Sequence, residues 1–142
     1  MTAHKNYEEL VPNRIFIGGV DAIDDLLANE KIDVIYDLRA EVKGPLSSEF
    51  SIHQPIVDDA EHQDQSIQTA VSEVVNAYKA GKNVYFHCNT GRGRAGTVAT
   101  AALLELGLAN SVDEAEQQAM SIRPTINVKP QFKEALKRLY DN

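Results

Sequence analysis

The chain has 142 residues, 43% apolar and 25% charged, the balance of a globular domain of ordinary size with enough apolar material for a core. Twenty-one acidic against 14 basic side chains leave a formal charge of −7, which argues against general affinity for nucleic acid or an anionic membrane, although a local basic pocket can still take a phosphate. A single cysteine excludes an internal disulfide and fits a reducing, cytoplasmic setting.

No apolar run follows Met1-Thr2-Ala3-His4-Lys5, and none elsewhere is long enough to span a bilayer, so neither a secretory leader nor a membrane partner is expected. No repeat, low-complexity segment or linker interrupts the chain, and residues 1–142 read as one domain, with a monomer favoured.

In chain order, Arg14-Ile15-Phe16-Ile17 predicts a short strand ended by Gly18-Gly19. Asp21 then caps a short helix with Ile23, Leu26 and Leu27 on one face. Residues 32–38, centred on Val34 and Ile35, predict a mostly buried strand. Arg39, just past its end, either reaches toward a bound anion or pairs with Asp37 or Glu41. Residues 40–50 carry turn chemistry at Gly44-Pro45 and read as a surface loop. A strand over 51–57 follows, limited to an edge or an end by Pro55. Beyond the acidic run Asp58-Asp59-Ala60-Glu61-His62-Gln63-Asp64, a long amphipathic helix carries Ile67, Ala70, Val71, Val74, Val75 and Tyr78 and stops at Gly81. Near the C-terminus, Ser111-Val112-Asp113-Glu114 is a capping box for a helix ending near Arg123-Pro124, and Pro130 opens a last helix with Phe132, Leu136, Leu139 and Tyr140 on its inner face.

The chemistry concentrates in His87-Cys88-Asn89-Thr90-Gly91-Arg92-Gly93-Arg94-Ala95-Gly96-Thr97. The apolar run Val84-Tyr85-Phe86 leads in and a helical pattern over 98–106 leads out, so the motif reads as strand, glycine-bearing loop, helix. Such a loop turns N–H groups inward at the positive end of a helix dipole, which suits an anion. Those surroundings favour the thiolate of Cys88, and the planar fork of Arg94 can grip two oxygens of a phosphate. A thiolate facing a gripped tetrahedral oxyanion is equipped for displacement at phosphorus. Gly91 and Gly93 are expected at positive φ or close to the ligand, and Gly96 where the following helix packs tightly on the sheet. His87 lies beneath the loop, bonding its backbone. Arg92 sits at the rim, where it either steers polyanions or is simply solvated.

Cysteine, five residues and arginine, with His87 before and Gly91 third after, resembles the signature of the cysteine-dependent protein tyrosine phosphatases. The small size and the opening Arg-Ile-Phe-Ile-Gly-Gly, short helix, Ile-Asp-Val-Ile-Tyr-Asp-Leu-Arg look like the dual-specificity branch, so the likeness spans most of the chain. It implies an α/β fold: a mainly parallel sheet of about four to five strands with helices on both faces and the phosphate loop between a strand and a helix. It also implies hydrolysis of phosphotyrosine, and of phosphoserine or phosphothreonine, through a phosphocysteine on Cys88. Arg94 and the N–H groups of Asn89, Thr90, Gly91, Arg92, Gly93 and Arg94 would bind the phosphoryl group, with neither cofactor nor metal.

Pro55-Ile56-Val57-Asp58 is similar to the family's proline, two residues, aspartate pattern, which points to Asp58 as general acid and leaves Asp59 as the alternative. The segment Thr125-Ile126-Asn127-Val128-Lys129 resembles the one that passes near the loop, where Asn127 either orients water or braces the backbone. Ala95 departs from the family, which has Ser or Thr after the loop arginine; Thr90 or Thr97 would have to supply the missing hydroxyl. Phosphoinositides and other small phosphate monoesters stay open as substrates. So do two other classes, a rhodanese-like sulfurtransferase, against which the loop length and Arg94 stand, and a phospho-binding module without turnover, suggested by Ala95.

Overall fold

The structure, a computed structural model, describes residues 6–40, 42, 49–59 and 61–141. Gly44-Pro45 and Glu41, named above for a turn and an ion pair, lie outside the described residues. Five strands form one sheet in the order β1-β2-β5-β3-β4: β1 Tyr7–Val11, β2 Ile15–Gly18, β3 Val34–Asp37, β4 Ser51–His53 and β5 Val84–His87. All neighbours run parallel except β1, which pairs antiparallel with β2. The helices are α1 Ile23–Asn29, preceded by a 3-10 turn at Val20–Ala22, then α2 Gln63–Lys79, α3 Arg94–Glu105, α4 Val112–Ile122 and α5 Pro130–Tyr140.

Strand alternation divides the core between the two faces. Ile15, Ile17, Val34, Tyr36, Val84 and Phe86 face one side, against the inner faces of α2, α3, α4 and α5. Phe16, Ile35 and Tyr85 face the other and meet Ile23 and Leu26 of α1. The central strands β2, β3 and β5 are buried along their length, as a parallel sheet covered on both faces requires. Each large side chain sealed there, Phe132 and Leu136 of α5 among them, contributes about 1.5–3 kcal/mol by leaving water.

Several elements differ from their sequence outlines. Both faces of β1 meet a core, Tyr7 entering one and Leu10 the other, and the register shifts between Glu9 and Val11. β4 ends at His53, before Pro55, which has no N–H for the ladder. α3 begins at Arg94, well before the apolar periodicity at 98, so the loop runs into the helix without a break. Asp21 is not a helix cap: its carboxylate instead accepts a hydrogen bond from Asn6 Nδ2 at 2.7 Å. Gly81, at φ +89, takes the left-handed turn after α2. Ser111 caps α4 through the Glu114 N–H at 3.2 Å, and Pro130 opens α5, both as the sequence indicates.

Parallel register lines up the carboxyl ends of the strands. Gly18 and Asp37 each stand opposite His87, so Cys88 leaves the sheet at its centre, where loops from both neighbours converge.

Candidate active site

The phosphate loop turns its carbonyl groups outward. Cys88 O accepts from His87 Nδ1 at 3.0 Å and Asn89 O from the Val20 N–H at 3.2 Å. Thr90 O and Gly91 O accept from Arg123, through Nη2 at 2.9 Å and Nε at 3.0 Å. Arg92 O takes the Asn127 N–H at 3.1 Å, and Gly93 O takes both the N–H and the hydroxyl of Thr97 at 2.9 Å. Every carbonyl over 88–93 is therefore occupied by scaffold. The N–H groups of residues 89–94 have no partner among the described residues. A peptide N–H points away from its own carbonyl, so this loop presents a cup of free donors.

Cys88 is 6% exposed and lies in a cleft of about 240 Å³ lined also by Asn89, Thr90, Arg92, Gly93, Arg94, Asn127, Lys129 and Phe132. Arg94 is half-buried, and its Nε donates to Ile56 O at 2.7 Å, while its two terminal nitrogens have no partner among the described residues and can take an anion. His87 is fully buried, and burial holds its pKa below the ordinary value, so the ring is neutral. The contact with a carbonyl requires Nδ1 to carry the proton, and Nε2 has no partner among the described residues.

Asp37 and Arg39 flank this floor. Asp37 is buried, which acts to raise its pKa, but the hydrogen bonds from Arg39 outweigh burial and hold the carboxyl below the usual range. Arg39 reaches it through Nε at 3.0 Å and Nη2 at 2.6 Å, so the pairing with Asp37 is realised.

Arg123 is the residue that sequence reading missed. It is 4% exposed, bonds two loop carbonyls, and is itself held by Glu8 at 2.6 Å and Asn6 Oδ1 at 2.8 Å. An arginine before a proline at a helix end carries no signal for this, because its side-chain partners, Glu8 on β1 and Asn6 just before it, lie more than 110 positions away in the chain. Gly91 has φ +74, as expected, and a Cβ there would stand 2.6 Å from the Gly18 backbone and 2.8 Å from Arg123, so its close approach is to the scaffold. Gly93 differs: its φ is −84, and a Cβ would find only Asn127 O at 3.7 Å. Gly96 packs against Ile126 rather than the sheet, with a Cβ 2.6 Å from that side chain.

The acidic run divides. Asp59 accepts from the His62 N–H at 2.9 Å and from His62 Nδ1 at 2.8 Å, tying off the start of α2. Asp58 is exposed, has no partner among the described residues, and is not among the residues lining the cleft. It stands two positions after Ile56, whose carbonyl holds Arg94. Asn127 is exposed in the cleft wall and braces the loop with its backbone N–H, not its side chain. Of the candidate hydroxyls, Thr97 is buried on Gly93 O, whereas Thr90 is exposed beside Cys88. Among the described residues no group of three or more His, Cys, Asp or Glu is arranged to hold a metal ion.

The model of the dual specificity phosphatase catalytic domain matches residues 15–142. The chain belongs to the dual specificity phosphatase family. It is therefore a cysteine-based phosphatase, and its sheet of five mostly parallel strands is the fold of the solved family members. A mouse putative dual specificity phosphatase, crystallised with zinc tungstate, is 24% identical over 99% of this chain and 90% of its own, with a TM-score of 0.82. Human DUSP28 is 23% identical over 98% and 95%, with a TM-score of 0.80. PTPMT1, solved with PI(5)P, is 18% identical over 96% and 95%, with a TM-score of 0.78. A search of curated proteins gave no significant match.

Proposed function

We propose that the chain hydrolyses phosphate monoesters through a phosphocysteine at Cys88. The observation that carries the reading is the cup of unpaired N–H groups around that sulfur, with every carbonyl of the loop turned away. Three non-bridging phosphoryl oxygens bring negative charge to a site where donors are already fixed, so little reorganisation accompanies the reaction. The Cys88 sulfur attacks phosphorus in line with the ester oxygen, the P–O bond breaks, and Asp58 gives that oxygen its proton. Water then attacks the phosphocysteine, Asp58 takes its proton, and the S–P bond breaks to return the thiolate and release inorganic phosphate. Asp58 is favoured over Asp59 because Asp59 is engaged at the start of α2 while Asp58 has no bond to break.

Ala95 offers no hydroxyl to the departing thiolate, and that of Thr97 is engaged. The second step is left with the loop N–H groups and the exposed Thr90 hydroxyl, and phospho-enzyme accumulates during turnover. Rapid-quench kinetics with an aryl phosphate test this. A stoichiometric burst of phenol, with one phosphoryl group on the Cys88 peptide by mass spectrometry, is expected; turnover that survives Cys88→Ser would overturn the mechanism.

Phosphotyrosine, with phosphoserine and phosphothreonine after it, is the substrate class the family likeness brings. A second reading, a small-molecule phosphate monoester, is favoured by a second polar cavity bordering the loop. The cytoplasm, being reducing, suits a chain whose lone thiol has no second cysteine to trap its oxidised form.

A further inference from the structure

We infer that Tyr85 is a positioning residue for the phosphate loop, and that its hydroxyl acts on the loop through the peptide unit between Gly19 and Val20. The role rests on the phosphatase reading above and adds a residue to it.

Tyr85 lies in β5, the middle strand of the sheet, with no exposed surface, and a phenol sealed in this way needs a partner. Its hydroxyl donates to Gly19 O at 2.6 Å. Burial holds its pKa far above the ordinary value, so the phenol keeps its proton and stays a donor. Gly18 makes the approach possible, since a Cβ there would stand 2.5 Å from the Tyr85 oxygen. The Ala22 N–H reaches the same carbonyl at 3.3 Å, the longer of the two contacts.

The carbonyl of Gly19 and the N–H of Val20 are opposite ends of one planar peptide unit. That N–H donates to Asn89 O at 3.2 Å. The carbonyl of Asn89 and the N–H of Thr90 are again opposite ends of one unit, and the Thr90 N–H has no partner among the described residues. A single line therefore runs from the Tyr85 hydroxyl through two peptide units into the phosphate cup. In such a chain each hydrogen bond polarises the next, so the hydroxyl both aims the Thr90 N–H and strengthens it as a donor.

The ring serves the neighbouring unit. It stacks on His87, with centroids 5.7 Å apart and 26° between the planes, and His87 Nδ1 donates to Cys88 O. Tyr85 and His87, two positions apart and so on one face of the strand, thus set the first two carbonyls of the loop. Phenylalanine would keep the stacking and the packing beside Ile23 and Leu26, so the line to Thr90 is what calls for the hydroxyl.

The test measures vanadate binding by titration calorimetry in the full chain and in Tyr85→Phe, Val20→Pro and the double variant, each checked for fold by circular dichroism. Val20→Pro deletes the middle donor with little strain. Val20 opens the 3-10 turn, and Gly19, at φ −94 and ψ 169, already has the backbone that precedes a proline. Each single variant is expected to weaken vanadate about tenfold, as a misaimed donor in an anion site implies. The double variant is expected to match Val20→Pro, because the hydroxyl acts only through that N–H. Tyr36→Phe removes a hydroxyl bonded to Glu73 O at 3.4 Å on the other face of the sheet and should leave binding unchanged.

Unchanged affinity in folded Tyr85→Phe, losses that multiply in the double variant, or an equal loss in Tyr36→Phe would each overturn the role. Should Tyr85→Phe fail to fold, Val20→Pro decides alone, and intact affinity there overturns it. Binding needs no turnover, which keeps the two readings apart. A wild type that binds vanadate yet releases no phosphate from phenyl phosphate would end the phosphatase reading, and the variants would still decide the line; a wild type that binds no vanadate overturns both.

Discussion

The phosphate loop and the segment 56–59 meet at Arg94 but are held in opposite ways. The loop is fixed at every carbonyl by groups from five places in the chain, with buried Arg123 beneath it. The acid-bearing segment is tied at Ile56 to Leu38 and Arg94 and at Val57 to Ser66, after which Asp58 stands exposed and, among the described residues, unbonded. The difference matches the work proposed for each. Stabilising charge in a transition state needs dipoles that are already in place, whereas delivering a proton to leaving groups of different shape needs a side chain free to approach them.

Four substitutions or conditions break that contrast, from the largest effect down. Arg94→Ala removes the bidentate grip and the tie to Ile56 together, and kcat/KM for an aryl phosphate should drop about 10³-fold, near 4 kcal/mol. Arg123→Met leaves Glu8 and two loop carbonyls without their buried partner. A loss of about 3 kcal/mol in a urea melt is expected, together with weaker vanadate binding; a stable protein with intact vanadate affinity would show that the loop holds its shape unaided. Asp58→Asn should slow alkyl phosphates about 10²-fold while sparing esters with good leaving groups, and Asp59→Asn should not reproduce that split. Equal losses on both ester types would move the acid elsewhere.

The smallest effect concerns the floor. His87 has a folded pKa held below its unfolded value by burial, so the unfolded chain binds the extra proton first, and stability declines as pH falls through the unfolded value near 6.5. Thermal melts from pH 7 down to 5 should show a decline that a folded His87→Asn variant lacks. Asp37, its pKa lowered on balance by Arg39, titrates at more acid pH, so the two are separable.

Legibility followed chain locality. The loop, its nucleophile, its arginine and the pattern before Asp58 occupy short stretches whose spacing is itself the chemistry, and the central strands announce themselves by apolar runs. What supports the loop comes from far away: Val20, Asn127, Arg123, and through Arg123 the side chains of Asn6 and Glu8. No local pattern marks an arginine whose partners are carbonyls 32 and 33 residues upstream. β1 escaped because both its faces meet a core, Tyr7 on one side and Leu10 on the other, so its apolar residues do not share one face. Gly93 lacks the positive φ expected of it, and Gly96 was misassigned because a glycine's reason lies in what faces it, and only the folded chain places Ile126 over Gly96.

The account stands on a nucleophilic sulfur at the floor of a cup that binds a phosphoryl group. Alkylation by iodoacetate at pH 6 tests both halves, with the denatured chain as the reference for an ordinary thiol. The native protein should react at least about tenfold faster than that reference, because a thiol near 8.5 is almost wholly protonated at this pH, and vanadate should block the reaction. Equal rates with no protection by vanadate would contradict it.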